Sequence, residues 1–550
     1  MIKYFCVMVY LFIVNQIEIT LSWLQKHYFV VFTLLMMSSL VTACVSTPDA
    51  SSKNSCDLAI MSPPSANGIG VTKASNGEYI GISNGTFAFD TTPDRTRIDS
   101  AMKCQAASQF RAGNSQDAQK SWDAVHQEDT SDAEALIYLE NLRLLASGQP
   151  HVTLVVATTL TGPTLNLGRD NLQGAYIAQK EFNEGSKLPN GLKVFLLIAN
   201  FGSNPKGATT VAKQIVRAAQ ADKTIVGVMG LPLSSYVPDA ISILQQAKLP
   251  LVSPTASSDE LTGISPFFFR IVAPNKTQAR VAAQYAIHTL HTQTMALFYD
   301  PRDSFSNNLA SDIKGNFTVS GDIKIVEEKY TIGHPETLST LLTDAIKHHS
   351  DLIYFAGYVA DMNVLLINLP PSSNLIVMGS DRFYQLQDYS IVSRSSFARL
   401  YFTTFAYPDE WDILCGQGLS QACAKPLFFT SYPRAFDDGN HQVHPYGYAR
   451  ANSDTIVSYD ALSILLTGYQ LALSQSKTTT LTPRQVQTGL TMITSTHPFQ
   501  GVSGQVSFEE DGNPINKSIV LLYVNPDYFI RVVPENGIQG CFLVGYCSNV

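Results

Sequence analysis

Residues 151–199, HVTLVVATTLTGPTLNLGRDNLQGAYIAQKEFNEGSKLPNGLKVFLLIA, decide the fold of this chain. HVTLVVATT is a strand-length run rich in β-branched residues, and Leu192–Ala199 is a second apolar run. Between them, Gly174–Phe182 reads as a helix. An apolar strand, a helix and another apolar strand predict a parallel pair buried on both faces. The pattern continues outward. Ala208, Val211, Ala212, Ile215, Val216 and Ala219 mark a helical stripe. A strand at Thr224–Met229, a helix at Asp239–Gln246 and a short strand at Leu251–Val252 follow. After Pro274 come a helix at Gln278–His288, a strand at Thr294–Tyr299, a helix at Asn308–Phe317 and a strand at Ile323–Tyr330. A helix at Glu336–His348 and a strand at Leu352–Phe355 complete the series. Repeated β–α units predict the α/β class, with helices on both faces of parallel sheets and ligands at the carboxyl ends of the strands. About 380 residues exceed one core's usual size, so two lobes are expected.

Upstream, the chain changes character. Residues 99–146 carry apolar residues at helical spacing, with breaks at Gly113-Asn114 and Asp129–Asp132. They loosely resemble one tetratricopeptide repeat through Phe110, Gly113, Ala118, Trp122 and Ala124. A repeat-type interaction module and a plain helical hairpin packed on the main domain are equally compatible with this. Residues 45–97 are rich in Ser, Thr, Asn, Gly and Pro and read as linker with irregular structure, with room for a small hairpin near Glu78–Asp90.

At the N-terminus, Lys26 and His27 precede an apolar run at 28–43, and Cys44 follows. Val41-Thr42-Ala43-Cys44 resembles the lipobox of bacterial lipoproteins, which implies a signal peptide over 1–43, lipidation of Cys44 and a location outside the cytoplasm on the membrane surface. A second run at 4–14 is too short to span a bilayer. Beyond Cys6 and Cys44, the cysteines group as Cys56 with Cys104, Cys415 with Cys423, and Cys541 with Cys547. Their even count and short spacings fit disulfides in an oxidising compartment, with buried thiols as the alternative.

The net charge is −8 and charged residues make up 15% of the chain, below the average of about 25%. With no basic run, nothing recruits nucleic acid. GxGxxG, P-loop and HExxH motifs are absent. Gly81–Gly85 spells GxSxG but lies in the polar linker, without the strand–turn–helix of a nucleophile elbow. Ser311–Lys314 spells SxxK without companion motifs. His441 and His444 form a lone pair in a Pro- and Gly-containing loop. The sequence predicts neither enzyme, cofactor nor metal site.

Residues 151–530 resemble the type I periplasmic binding proteins, and among them the leucine/isoleucine/valine-binding receptors. The resemblance rests on TTLTGPTLNLGRDNLQGAYIAQKEFN, on GVMGLPLSSYVPDAISILQQAKLPLVSPTASSDELT and on FFFRIVAPNKTQA. It continues through DLIYFAGYVADMNVLL, VMGSD, SYDALSILLTGYQLA and FQGVSGQVSFEEDGNP, in that order. It implies two Rossmann-like lobes joined by hinge crossovers. Lobe one would span about 151–273 and 405–512. Lobe two would span about 274–404 and 513–535. They would follow a tether over 44–97 and a helical module over 98–150, and precede a Cys-containing tail over 536–550.

Residue by residue, the resemblance places Ala256 and Ser257 at lobe-one ligand positions and Ser234 and Ser235 in the matching serine loop. It places Tyr358 at a lobe-two aromatic and Asp381 at the acid that holds an ammonium. Ser257 and Asp381 are alternatively helix caps, and Tyr358 a surface aromatic. Leu233 and Leu167 depart from the leucine-binding pattern. The region 408–452 is longer and more irregular than the family shows, an insertion placed near the hinge. The implied function is a receptor for an amino acid or similar small polar solute, serving an ABC-type permease. Alternatives are a ligand-independent lipoprotein activator of a cell-wall synthase, or a sensor for a signalling partner.

Overall fold

The computed structural model describes residues 67–91, 99–319, 323–384, 390, 392–416, 424–437, 439, 450–476, 480–525, 529–534 and 536–548. Residues 1–43, where the sequence predicts a signal peptide, and Cys44, Cys56, Cys423, His441 and His444 lie outside the described residues.

The described chain opens with an antiparallel hairpin, β1 (Gly70–Lys73) and β2 (Tyr79–Ser83), inside the stretch whose polar composition reads as linker. Gly81 sits at φ 140°, where a side chain would run into the backbone of Gly70. The GxSxG spelling is therefore the end of a strand. Three helices follow: α1 (Ser100–Arg111), α2 (Ser115–Glu128) and α3 (Ala133–Ser147), broken where the sequence predicts. Asp132 caps α3 by accepting the Ala135 N–H at 3.0 Å. Trp122 is fully buried, its ring 5.1 Å from that of Tyr138. Lys103 is buried between Asp132 at 2.6 Å and Glu134 at 2.9 Å. Glu134 also accepts the backbone N–H groups of Phe89 (2.8 Å) and Asp90 (3.0 Å), and Asp90 pairs with Arg169 at 2.8 Å. Charge-assisted bonds thus fasten the module to the main domain.

Lobe one contains β3 (His151–Thr158), α4 (Leu165–Glu184), β4 (Lys193–Asn200), α5 (Pro205–Ala221), β5 (Ile225–Gly230), α6 (Val237–Leu244), β6 (Leu251–Ser253) and β7 (Phe268–Arg270). Its sheet runs β1-β2-β4-β3-β5-β6-β7, and the strands from β4 to β7 pair in parallel. The continuous apolar runs are buried on both faces, as parallel strands require. The hairpin covers β4 only at residues 198–200. Lower down, side-chain amides replace a neighbouring strand. Asn141 of α3 bonds both backbone groups of Leu196, and Asn183 of α4 bonds both of Val194.

Lobe two follows with α7 (Asn275–His288), β8 (Thr294–Tyr299), α8 (Ser304–Val319), β9 (Lys324–Lys329), α9 (Leu338–Lys347), β10 (Leu352–Ala356), α10 (Val359–Asn368), β11 (Ile376–Gly379) and β12 (Leu400–Thr404). The chain then returns to lobe one through α11 (Glu410–Gly416), α12 (Phe428–Phe436), α13 (Ser453–Ser474), α14 (Pro483–Leu490) and the hairpin β13 (Phe499–Gly501) with β14 (Gly504–Val506). It ends in lobe two with β15 (Ile519–Val524), β16 (Ile530–Val532), β17 (Ile538–Leu543) and β18 (Tyr546–Ser548). The second sheet runs β18-β17-β15-β12-β11-β10-β8-β9, with β16 on β15. The tail thus forms a hairpin on this sheet, clipped by the Cys541–Cys547 disulfide. Cys104 and Cys415 are also disulfide-bonded.

α13 is long and apolar enough to cross a membrane by length and composition, but it is the buried core helix of lobe one. Gly174 lets α4 approach its backbone. Within residues 408–452, α12 packs onto these two helices. Tyr432 bonds Gln173 at 3.0 Å and Ser431 bonds Glu181 at 2.8 Å, while the Thr130 hydroxyl bonds the Phe436 carbonyl at 2.9 Å. At the last crossover, buried Lys517 donates to the Ser503 carbonyl (2.5 Å) and hydroxyl (2.8 Å). Asp460 of α13 accepts the backbone N–H groups of Val502 (2.8 Å) and Ser503 (2.7 Å). Burial pushes Lys517 down to about 8, and pushes the enclosed Glu410 carboxyl well above its ordinary range.

Lys103→Ala would leave Asp132 and Glu134 buried without their cation. The expected loss is about 3–5 kcal/mol in urea unfolding of the whole chain. A change below about 1 kcal/mol would show that the pair does not hold the module.

Candidate functional site: the cleft between the lobes

The cleft is built from loops at the carboxyl ends of β5 and β6 on one side and of β8, β10 and β11 on the other. In lobe one, β5 leads into the short turn Ser234–Tyr236. Ser234 is buried, and its hydroxyl accepts the Ser258 N–H at 3.1 Å, joining the two lobe-one loops. Ser235 on the same turn is exposed. Ala256 and Ser257 are fully buried after β6. The Ser257 carbonyl accepts the Asn275 N–H at 2.8 Å, at the entrance to lobe two. The Ser257 hydroxyl is buried and makes no hydrogen bond among the described residues, so it caps no helix.

In lobe two, Tyr358 stands at the start of α10, half-buried, with its hydroxyl 3.4 Å from both carboxylate oxygens of Asp303. Its ring lies 5.7 Å from that of Phe305. Burial pushes the Asp303 carboxyl and the Tyr358 hydroxyl above their ordinary values. Asp381 follows β11 and is buried, and burial raises its carboxyl too, with the Arg382 charge acting against the rise. The turn after β11 is capped by Ser380, not by Asp381.

The residue that reaches across the cleft is Arg382, which sequence reasoning passed over for its neighbour Asp381. Its guanidinium donates to the lobe-one carbonyls of Pro232 (3.3 Å) and Thr255 (3.2 Å). It lies 5.3 Å from the Phe305 ring centre, and its Nε is 3.4 Å from Asp381. Burial works against its charge, but Asp381, Asp454 of α13, Tyr358 and Asp303 hold it charged. The structure therefore gathers Asp381, Asp303 and Tyr358 around Arg382, and sets Arg382 against the lobe-one loops that carry Ser234 and Ala256. Sequence signals for Arg382 were faint. It is an arginine directly after a motif acid, in a chain poor in charge.

A second bridge lies beside it. The Asp259 N–H of lobe one donates to Asn308 of α8 at 2.9 Å, and the Asp259 carboxylate accepts the Lys276 N–H of α7 at 3.1 Å. Ser304 donates to Glu260 at 3.2 Å. Among the described residues, no group of three or more His, Cys, Asp or Glu side chains is placed to hold a metal ion. The arrangement suits binding: buried donors and acids from two lobes face one another.

Residues 151–410 match the family model of the periplasmic binding proteins. No curated protein matches the chain. Among solved structures, a leucine binding protein from Thermotoga maritima is 20% identical, with a TM-score of 0.58 over 70% of this chain and 97% of that one. The branched-chain amino acid transporter substrate binding protein from Streptococcus pneumoniae, in complex with isoleucine, is 17% identical, with a TM-score of 0.56 over 70% and 99%. A solute binding protein of an ABC transporter from R. palustris, in complex with 4-hydroxybenzoate, is 14% identical, with a TM-score of 0.57 over 72% and 98%. Residues 151–410 are thus similar to the periplasmic binding proteins, and the two-lobed fold is the one these solved solute-binding structures share.

Proposed function

We propose that this chain is an extracytoplasmic lipoprotein, anchored through Cys44, whose two lobes close on a small polar solute and deliver it to an ABC-type permease. The observation that carries this reading is Arg382, a buried guanidinium spanning the cleft with two donors directed at neutral carbonyls. Leucine, isoleucine and 4-hydroxybenzoate, named with the similar structures, share a carboxylate. A carboxylate entering here would replace neutral acceptors with charged ones, and such bonds are roughly twice as strong. Ser257, with its free hydroxyl, is the natural second donor. Tyr358 and Asp381 complete the proposed site with Ser234 and Ala256. Ser235 is exposed and sits at its rim. An amino-acid ammonium would find its counter-charge at Asp303 or Asp381.

One observation favours a second reading. Arg382 is itself a bridge between the lobes, which suits a ligand-independent lipoprotein that activates a cell-wall synthase by contact, with α1–α3 as the contact module.

A thermal-shift screen of the whole chain in oxidising buffer, against amino acids and aromatic carboxylates, separates the two. A solute at about 100 times its Kd adds about 2.7 kcal/mol of stability. The expected result is a carboxylate hit that Ser257→Ala weakens and Arg382→Gln removes. A well-folded chain that shifts with none of them would favour the contact reading.

Arg382→Gln has a further expected effect without any solute. Losing the bridge should open the cleft, raise the radius of gyration in small-angle scattering and lower stability by about 1.5–3 kcal/mol. Unchanged scattering would show that closure is held elsewhere.

A further inference from the structure

We propose that closure of the lobes takes up a proton, held between the carboxyl groups of Asp259 in lobe one and Asp312 in lobe two. This deepens the receptor reading by naming how its cleft is regulated, and it rests on that reading only in requiring that the lobes open.

The geometry starts from α8. Asn308 and Asp312 are one turn apart and share a face. Asn308 receives the Asp259 N–H at 2.9 Å, so the same face meets the lobe-one turn Asp259–Leu261. The Asp259 carboxylate acts on Asp312 from across the lobe boundary. Asp259 Oδ1 and Asp312 Oδ2 are shut off from solvent and meet no donor from any other described residue. Two buried carboxylates only accept and repel one another, so a proton on one of them would supply the missing donor. The other Asp259 oxygen is occupied by the Lys276 N–H at 3.1 Å.

The surroundings do little to relieve the pair. From α7 comes the Lys276 ammonium, which acts against protonation. From β10 comes the buried Tyr354 hydroxyl, which senses the Asp312 charge. β8 brings Tyr299, which is bonded to Glu327 at 2.7 Å. The turn at Ser234 brings Tyr236, whose charged neighbours are Glu78 and Asp303. Glu260, beside Asp259, accepts the Ser304 hydroxyl. Burial and the Asp259 carboxylate together push Asp312 up to about 8.

The two acids belong to different lobes, so opening separates them and returns Asp312 to water, where an aspartate titrates near about 3.9. A group whose value is higher in the closed form favours closure most below its open-form value. That support is lost as pH rises through its closed-form value. Between about 4 and about 8, closure binds up to one proton. Its equilibrium constant falls by up to about tenfold per pH unit and is level above that window.

The test is small-angle scattering of the whole chain from pH 5 to pH 9, with no solute. The expected result is a radius of gyration that rises towards pH 8 and is level above it. In Asp312→Asn, whose amide is neutral and donates to Asp259, the compact value should persist at pH 9. Asp259→Asn should flatten the profile in the same way, and stands in if the first variant melts early. A pH-independent radius in the unaltered chain, or an unchanged profile in both variants, would overturn the proposal. A chain that binds a carboxylate solute with pH-independent closure loses the proton switch and keeps the receptor. A chain that opens with pH, and whose variants do not, keeps the switch even if no solute is found.

Discussion

A single ammonium, that of Lys517, is buried where the chain makes its last passage from lobe one to lobe two. It donates to Ser503 of the β13–β14 turn, whose backbone Asp460 of the core helix α13 also holds, and the charges of Asp460 and Glu410 favour its protonated form against burial. Burying a lysine is costly unless it is paired and hydrogen-bonded. Here the compensation comes from elements that belong to separate crossings between the lobes. That arrangement holds the last crossover against the core helix of lobe one.

What meets in the cleft is unusual in its charge balance. One guanidinium stands among Asp381, Asp303 and Asp454, and its remaining donors cross to lobe-one carbonyls. Beside it, two more acids face each other across the lobes. Arg382 is the cation set among these carboxyls, and their charges hold it protonated against its burial. In an amino-acid receptor the incoming ammonium and carboxylate would share that role.

Much of the fold could be read in advance because its physical cause is local. The strands of both sheets are unbroken apolar runs, and the helices between them carry stripes at the right period. The edge hairpin at 70–83 was harder to see. Its residues are polar and glycine-rich, and Gly81 is there for backbone clearance that only the folded chain reveals. The amides of Asn141 and Asn183, which act as a false strand along β4, are equally silent in sequence. Within the cleft, the loops were legible but the directions of side chains were not. Asp381 drew notice by its motif, yet it turns inward beside Gln278, and the adjacent Arg382 spans the gap. A turn of three residues can point either neighbour across the cleft, and only packing decides which.

The way α3 is joined to lobe one has a mechanical consequence. Asn141 is knitted into β4, Glu134 holds the segment at Phe89 and Asp90, and Asp90 grips Arg169 of α4. Helical module and lobe one therefore behave as one rigid arm. Seen from that arm, rotation at the hinge is a swing of lobe two past a fixed post. Any protein that touched both the post and lobe two would register the angle of the hinge directly, as a lever registers the position of its handle.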